Sequence, residues 1–486
     1  MSELIVFPAI DLRAIAPALV LTVTGLVILL LDLLPPANRK EHLGFIGLAG
    51  VVASLVITLS LWGSDLRAFR GMVVLDSYAL FFNLPIGYAT GLVLLLSLDY
   101  LRRYGIEAGE FYILVLFAAV GMMLMASAGD LIMVFLGLET MSLALYVMTG
   151  FFRNRIESGE ASMKYFLLGA FASGFFIYGI SLIFGATGTT NLEKIATAIT
   201  AGAGRDPLLV IGFGLLFVGF GFKIASVPFH MWASDVYEGA PTSVTAFIAT
   251  GSKAAAFAAL LRVLLSAFKA APADWTMLLW VLAVLSMTLG NVVAIAQQNL
   301  KRMLAYSSIA HVGYMLVGVV AGGAFGSASV LFYVLVYTFT TAGAFGVILL
   351  LERNGQEAVR LEDFGGLATR HPLMALTLSI FLLSLIGIPP TAGFVGKFYL
   401  FGAAVRAGYI WLAVLGVLNS AIAAYYYLRL IVFMYMREPD GPPTVLVPSV
   451  SGCLALLVAL WGVVQLGILP APLFDLAQSA VLPLVR

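Results

Sequence analysis

Leu215-Leu216-Phe217-Val218-Gly219-Phe220-Gly221-Phe222-Lys223-Ile224-Ala225-Ser226-Val227-Pro228-Phe229-His230-Met231-Trp232 is the stretch on which the fold turns. It is apolar enough to sit in a membrane, yet it holds a lysine and then a proline. Proline removes a backbone donor and clashes with the preceding helical turn. Irregular backbone at membrane depth is tolerated only inside a protein or beside water. Two more lysines repeat the anomaly, Lys253 in Thr250-Gly251-Ser252-Lys253-Ala254 and Lys397 just after Gly387-Ile388-Pro389-Pro390-Thr391-Ala392-Gly393. A lysine at membrane depth costs roughly 3 kcal/mol on insertion scales, so such residues by default mark an ion or proton path.

Composition supports a membrane setting. The 486 residues are 62% hydrophobic and 10% charged, with a mean hydropathy of +1.04. A soluble domain carries about 25% charged residues. The net charge of +1 gives no basic field for nucleic acid. The single cysteine, Cys453, excludes an internal disulfide or a cysteine metal cluster and reads as a small packing residue. The N-terminus lacks a basic n-region, and Asp32-Leu33-Leu34-Pro35-Pro36 is no small-residue cleavage site, so residues 14–34 read as a first span and not a signal peptide.

Spans need about 20 apolar residues. Fourteen are expected: 14–34, 43–62, 73–98, 111–128, 130–152, 163–186, 207–227, 242–266, 275–296, 303–321, 327–351, 373–405, 409–436 and 446–469. No Walker loop or dinucleotide fingerprint is present in this sequence. Loops after odd spans carry twelve cations (Arg39, Lys40, Arg102, Arg103, Arg153, Arg155, Lys301, Arg302, Arg353, Arg360, Arg370, Arg437). The other side carries eight (Arg13, Arg67, Arg70, Lys194, Arg205, Lys269, Arg406, Arg486), which puts the odd loops in the cytoplasm and both termini on the periplasmic side.

Span seven is broken at Pro228, with Pro241 closing the irregular stretch, and span twelve at Gly387, Pro389 and Pro390. A simple proline kink is the alternative for each. Paired interruptions point to the working site of a transporter. The breaks lie five spans apart. The expected fold is therefore an all-α integral membrane protein of about fourteen transmembrane helices, with two inverted five-helix repeats, each holding a broken helix. Within one transmembrane domain, 1–486, three N-terminal spans (1–110) precede the first repeat (111–267), the second repeat (268–437) and a last span (438–486). The register brings Glu139 to 84 residues before Lys223, and His311 to 86 before Lys397.

Glu139 lies inside span five. Desolvation raises a carboxyl pKa and lowers that of a lysine, and pairing opposes both. A Glu139–Lys223 pair of variable spacing would be a protonation switch; a static buried ion pair is the alternative. Lys253 is too central to snorkel, whereas Arg262, Lys164 and Arg429 could reach an interface. Lys164 could also join Glu139. His311 could relay a proton or serve as a satisfied core histidine. His230, Asp235 and Glu238 in the first break are supporting candidates. Four scattered histidines give no metal site and no haem or iron–sulfur spacing, so the chain is expected to move ions without carrying electrons.

Pro228-Phe229-His230-Met231-Trp232, Asp235-Val236-Tyr237-Glu238-Gly239-Ala240-Pro241-Thr242 and Val244-Thr245-Ala246-Phe247 resemble the N-type membrane subunits of bacterial NADH–quinone oxidoreductase, respiratory complex I. So do Lys164-Tyr165-Phe166-Leu167-Leu168-Gly169-Ala170-Phe171-Ala172-Ser173-Gly174 and Lys301-Arg302-Met303-Leu304-Ala305-Tyr306-Ser307-Ser308. The resemblance covers nearly the whole chain; Ser243 stands where that family is expected to have proline. It implies an antiporter-like subunit of the membrane arm in a bacterial inner membrane. Such subunits are thought to pump protons, driven by quinone reduction elsewhere. Glu139 would modulate Lys223, Lys253 would be the central relay, His311 the link, and Lys397 the exit lysine. Flavin, iron–sulfur clusters, NADH and quinone sites would lie on other subunits, with no cofactor or metal on this chain. Its partners would be other membrane-arm subunits, including a second antiporter-like one, and the lipid bilayer. Three rivals stay open: a subunit of a multisubunit cation/proton antiporter, the equivalent subunit of a ferredoxin- or hydrogenase-linked complex, and a non-conducting scaffold of the arm.

Overall fold

The computed structural model describes residues 11–34, 40–106, 108–269, 274–353, 355–438 and 444–485. Pro35, Pro36, Arg39 and Arg486, used above, lie outside the described residues. The helices in chain order are α1 (Ala16–Asp32), α2 (Glu41–Ser60), α3 (Ser77–Arg103), α4 (Gly109–Ala126), α5 (Leu131–Thr149), α6 (Ile156–Thr187), α7 (Leu192–Thr200), α8 (Pro207–Ile224) and α9 (Met231–Gly239). They continue with α10 (Thr242–Ser266), α11 (Asp274–Ile295), α12 (Leu300–Ala321), α13 (Gly323–Leu349), α14 (Pro372–Ile386), α15 (Ala392–Arg406), α16 (Ile410–Met436), α17 (Val450–Ile468) and α18 (Ala471–Val485). Thirteen helices among the described residues are long and apolar enough to cross a membrane, and α14 with α15 supplies the broken fourteenth crossing.

The helices are sorted by burial. α10 and α13 are buried along their whole apolar windows and α12 nearly so, whereas α1 and α6 bury about a third of theirs and turn the rest outward. The inner helices are buried on every side and carry small residues where they cross, which suits packing in a medium as apolar as leucine. Lys253 and His311 sit on two of these central helices.

The two five-span units pack alike. α4 lies tightly against α5, and α11 against α12. α6 packs on both halves of the first broken helix, α8 and α9; α13 packs on both halves of the second, α14 and α15. Five crossings per unit start the second unit on the opposite side, so the two run inverted.

Several boundaries differ from expectation. Residues 73–75 are not helical: β1 (Leu66–Ala68) pairs antiparallel with β2 (Val73–Leu75), and the third span starts after the cap Asp76, whose carboxylate accepts from the Ala79 amide at 2.8 Å. The connection 187–206 contains the amphipathic helix α7. The C-terminal region holds two helices instead of one, because α18, at 15 residues, is too short for a span and packs against α3 and α13. Pro241 does not interrupt a helix; it stands at the N-cap of α10. Cys453 is exposed, not packed. The inward stripe of α17 is Gly452, Ala455, Leu456, Ala459 and Val463, and Cys453 falls off that face.

Candidate functional site

The first break is built from the end of α8. Ala225 takes a left-handed conformation (φ 60°) and its amide closes on Gly221 and Phe222. The Val227 amide donates to Ser286 Oγ of α11 at 3.0 Å, and the Val227–Pro228 peptide is cis. The second break ends α14 at Gly387, whose φ of 92° is a conformation that favours glycine. A cis Pro389–Pro390 peptide follows.

Lys223, one turn before the first break, is buried. Its ammonium donates to Ser142 Oγ at 2.9 Å and to the Tyr165 hydroxyl at 3.2 Å. Tyr165 stacks on Trp232 of α9, with centroids 4.5 Å apart, and the Trp232 indole N–H donates to the Phe222 carbonyl at 2.9 Å. The position of α9 thus sets the phenol that Lys223 faces.

Glu139 is half-buried and accepts a hydrogen bond from Ser173 Oγ. The Lys223 ammonium bonds Ser142 and Tyr165 and not Glu139, whose carboxylate is held by Ser173. A cavity of about 10 Å³ lies beside Lys223, lined by Ser142, Ser173 and Lys223 among others. That is close to the room one water molecule needs. The static buried ion pair considered above is therefore not what the structure contains.

Lys253 follows a widened, π-type turn at Ile248–Ser252. Such turns recur at functional positions in helices. Its amine donates to the Ser308 carbonyl at 3.0 Å and to Ser308 Oγ. Ser308 Oγ also contacts the Tyr237 hydroxyl at 3.2 Å. Lys397, on the far side of the second break, donates to the Leu385 and Ile386 carbonyls, both at 2.9 Å, and to Ser420 Oγ at 3.2 Å. These carbonyls are orphans at the C-terminus of α14, where the helix dipole is negative and favours a cation. The Lys397 ammonium also lies 4.4 Å from the Tyr314 ring centroid. His311 lies within electrostatic reach of both Lys253 and Lys397.

The supporting candidates fall elsewhere. Lys164 does not join Glu139; it pairs with Glu160 at 2.6 Å and Asp235 at 2.7 Å. Arg302 of α12 bonds Asp235 at 2.8 Å and Glu238 at 2.7 Å. Asp235 and Glu238 thus clamp α9 to its neighbours. His230 is half-buried on the break and bonds none of the three lysines. Arg262 does not snorkel: it is buried in a two-bond pair with Asp76. Arg429 caps the end of α11, donating to Ile295 and Gln297 carbonyls at 3.0 and 2.6 Å. Lys301, counted above as a loop cation, is buried and donates to the Ala240 carbonyl at 2.7 Å.

The sequence reading missed Ser142, Tyr165, Ser308, Tyr333, Ser420 and Tyr427, the hydroxyls that hold the lysines and His311. One local signal was available. Ser142 follows Glu139 by three residues, which places both on one face of α5.

Residues 128–423 match the family model described as NADH:quinone oxidoreductase/Mrp antiporter, TM. The chain is 50% identical to the NADH-quinone oxidoreductase subunit N of Trichlorobacter lovleyi, over 98% of each chain. It is similar to a chain of respiratory complex I from Thermus thermophilus, at 39% identity and a TM-score of 0.80, covering 95% of this chain and 99% of that one. A chain of the Mrp complex from Dietzia sp. shares the fold at 22% identity and a TM-score of 0.84, over 97% of this chain and 98% of that one. The chain belongs to the subunit N family of NADH–quinone oxidoreductase, the antiporter-like membrane subunits of respiratory complex I.

Proposed function

We propose that this subunit carries a proton across the membrane arm through Lys223, Lys253, His311 and Lys397, with Glu139 controlling the first step. The observation that carries the reading is the partner set of the three lysines. Each is buried, and the hydrogen bonds of each go to hydroxyls or carbonyls, with no carboxylate among them. A lysine ion-paired in a core is held charged; one bonded to neutral groups can lose its proton at a modest cost. Buried lysines with uncompensated charge are expensive, and a proton path is the use that justifies them.

In this scheme a proton from the cytoplasm reaches Lys223, passes to Lys253, crosses by His311 to Lys397 and leaves on the periplasmic side. A signal from a neighbouring subunit changes the Glu139–Lys223 separation, and with it the proton affinity of Lys223. The repeats 111–267 and 268–437 each contribute one broken helix, while 1–110 and 438–486 frame them. Both termini face the periplasm of a bacterial inner membrane. The neighbours are other subunits of the arm, including a second antiporter-like one, and the redox cofactors reside on those other subunits.

A sodium path would favour hard oxygen ligands over three lysines, which argues against a cation antiporter. Proton release per electron in membranes carrying Lys253→Ala, with assembly checked on a native gel, tests the proposal. An assembled complex with reduced pumping and reduced coupled quinone reduction supports it. An assembled complex with both unchanged makes Lys253 structural and removes the relay.

A further inference from the structure

We infer that His311 works between two phenols, Tyr427 on its Lys253 side and Tyr333 on its Lys397 side, and that both are relay residues. The inference rests on the relay proposed above and adds two groups to it.

The tyrosines come from different helices and meet different ring nitrogens. Tyr333 of α13 bonds His311 Nδ1 at 2.7 Å, and Tyr427 of α16 bonds Nε2 at 3.3 Å. All three side chains are buried. The Tyr427 hydroxyl also bonds Ser307 Oγ, and Ser307 is the chain neighbour of Ser308, which holds Lys253. Tyr333 points the other way. A Cβ on Gly396 would lie 2.5 Å from Cδ2 of Tyr333, so the ring rests directly on the backbone of α15 beside Lys397. Glycine at 396 is what allows that approach.

Imidazole chemistry ties the direction of transfer to the tautomer. A neutral ring has one N–H and one bare nitrogen, so one phenol accepts from it while the other donates to it. Take the hydrogen on Nδ1: Tyr333 then accepts and Tyr427 donates. A proton leaves the Lys253 ammonium by way of the serines and water and reaches the Tyr427 oxygen. That oxygen passes its own hydrogen to Nε2. The imidazolium gives its Nδ1 hydrogen to the Tyr333 oxygen, which releases its own through water to the Lys397 amine. Lys253 ends as an amine and Lys397 as an ammonium. Both phenols are intact, and the ring carries its hydrogen on Nε2. Restoring the starting tautomer takes a proton exchange through water, the Nε2 hydrogen leaving and one arriving on Nδ1, because a turn of the ring leaves each hydrogen on its own nitrogen.

A satisfied core histidine also has a partner on each nitrogen; what sets His311 apart is that Tyr427 bonds onward to Ser307, beside the serine that holds Lys253, and Tyr333 packs on the backbone next to Lys397. Two phenols, one on each nitrogen and each leading towards a different lysine, form a through-path. Phenylalanine would fill the same volume at either position without the hydroxyl.

The test compares assembled complex I carrying Tyr427→Phe, Tyr333→Phe, both together, Lys253→Ala or His311→Ala. Coupled quinone reduction, proton release per electron and the solvent deuterium isotope effect are read on each. Each single phenylalanine should lower coupled turnover by roughly a hundred-fold, the low side of what one positioned proton-transfer group contributes. The isotope effect should rise, which a merely structural change would not cause. The double variant should be no worse than the poorer single, because the groups act in series. If both phenylalanine variants stay within two-fold of wild type while Lys253→Ala and His311→Ala are impaired, the phenols are bypassed: the inference falls and the lysine relay stands. If Lys253→Ala is unimpaired as well, both fall. Should Tyr427→Phe fail to assemble, Tyr333→Phe carries the same test.

Discussion

Lys253 and Arg262 lie on the same helix, nine residues apart, about 13 Å at 1.5 Å per residue. They are buried to nearly the same degree, with relative exposures of 2% and 3%. Their partners differ in kind. Arg262 grips the Asp76 carboxylate with two nitrogens at 2.7 and 3.0 Å. It also donates to the Ala126 carbonyl at 2.9 Å and sits 4.8 Å from the Tyr78 ring centroid. Through these contacts it ties α3, α4 and α10 together. Among the described residues Lys253 bonds only the carbonyl and hydroxyl of Ser308. Burial alone therefore does not mark a working cation. An arginine with a carboxylate is a fixed charge and a fastener. A lysine among neutral acceptors keeps both protonation states within reach.

The contrast breaks most severely at the paired site. Asp76→Ala leaves the guanidinium buried without its counter-charge. Breaking such a pair costs about 3–5 kcal/mol. The expected outcome is loss of assembled complex on a native gel; normal assembly would put Arg262 outside the set of fasteners. Lys253→Arg makes the opposite change, keeping charge while removing the ability to lose a proton at ordinary pH. Assembly should persist while coupled turnover falls by roughly ten-fold or more. Turnover near wild type would mean that a fixed charge suffices and that Lys253 does not carry the proton.

Ser308→Ala sharpens the comparison with a smaller effect. It removes one of the two acceptors of Lys253 but leaves the carbonyl. A single lost hydrogen bond is worth about 1 kcal/mol, or roughly five-fold in coupled turnover. No change in turnover would assign the hold on Lys253 to the carbonyl alone. The smallest effect belongs at the surface. Arg67 of β1 pairs with Glu193 of α7 at 2.9 Å, with the two side chains 49% and 64% exposed. Arg67→Gln should change stability by less than about 1 kcal/mol and leave pumping intact. A larger loss in thermal unfolding would show that the β1–β2 hairpin depends on this ion pair.

Much of the architecture was legible. Apolar runs of span length can be read directly, because every span needs the same thickness of hydrocarbon. The breaks were legible because proline and glycine act on their own backbone. Short or amphipathic pieces escaped: α18 lacks the length of a span, and α7 lies within a polar connection. The site divides similarly. Lys223, Lys253 and Lys397 stand out in the sequence because each is costly where it lies. Tyr333 and Tyr427 do not, because a tyrosine in an apolar helix reads as core. Lys301 read as a loop cation because it opens α12 at its polar end; folding buries it under Ala240.

The sequence by itself determined a membrane protein with a set number of crossings, two interrupted helices and three misplaced lysines. These are properties of single segments, governed by transfer energy and local backbone sterics. Only the tertiary structure decided which lysine meets a hydroxyl, which arginine meets a carboxylate, and which phenol meets which nitrogen of His311. Those partners lie 22 to 186 residues apart in the chain, from His311 and Tyr333 to Asp76 and Arg262. Hydrogen bonds act over about 3 Å, so no pattern along the chain encodes them until the helices are packed.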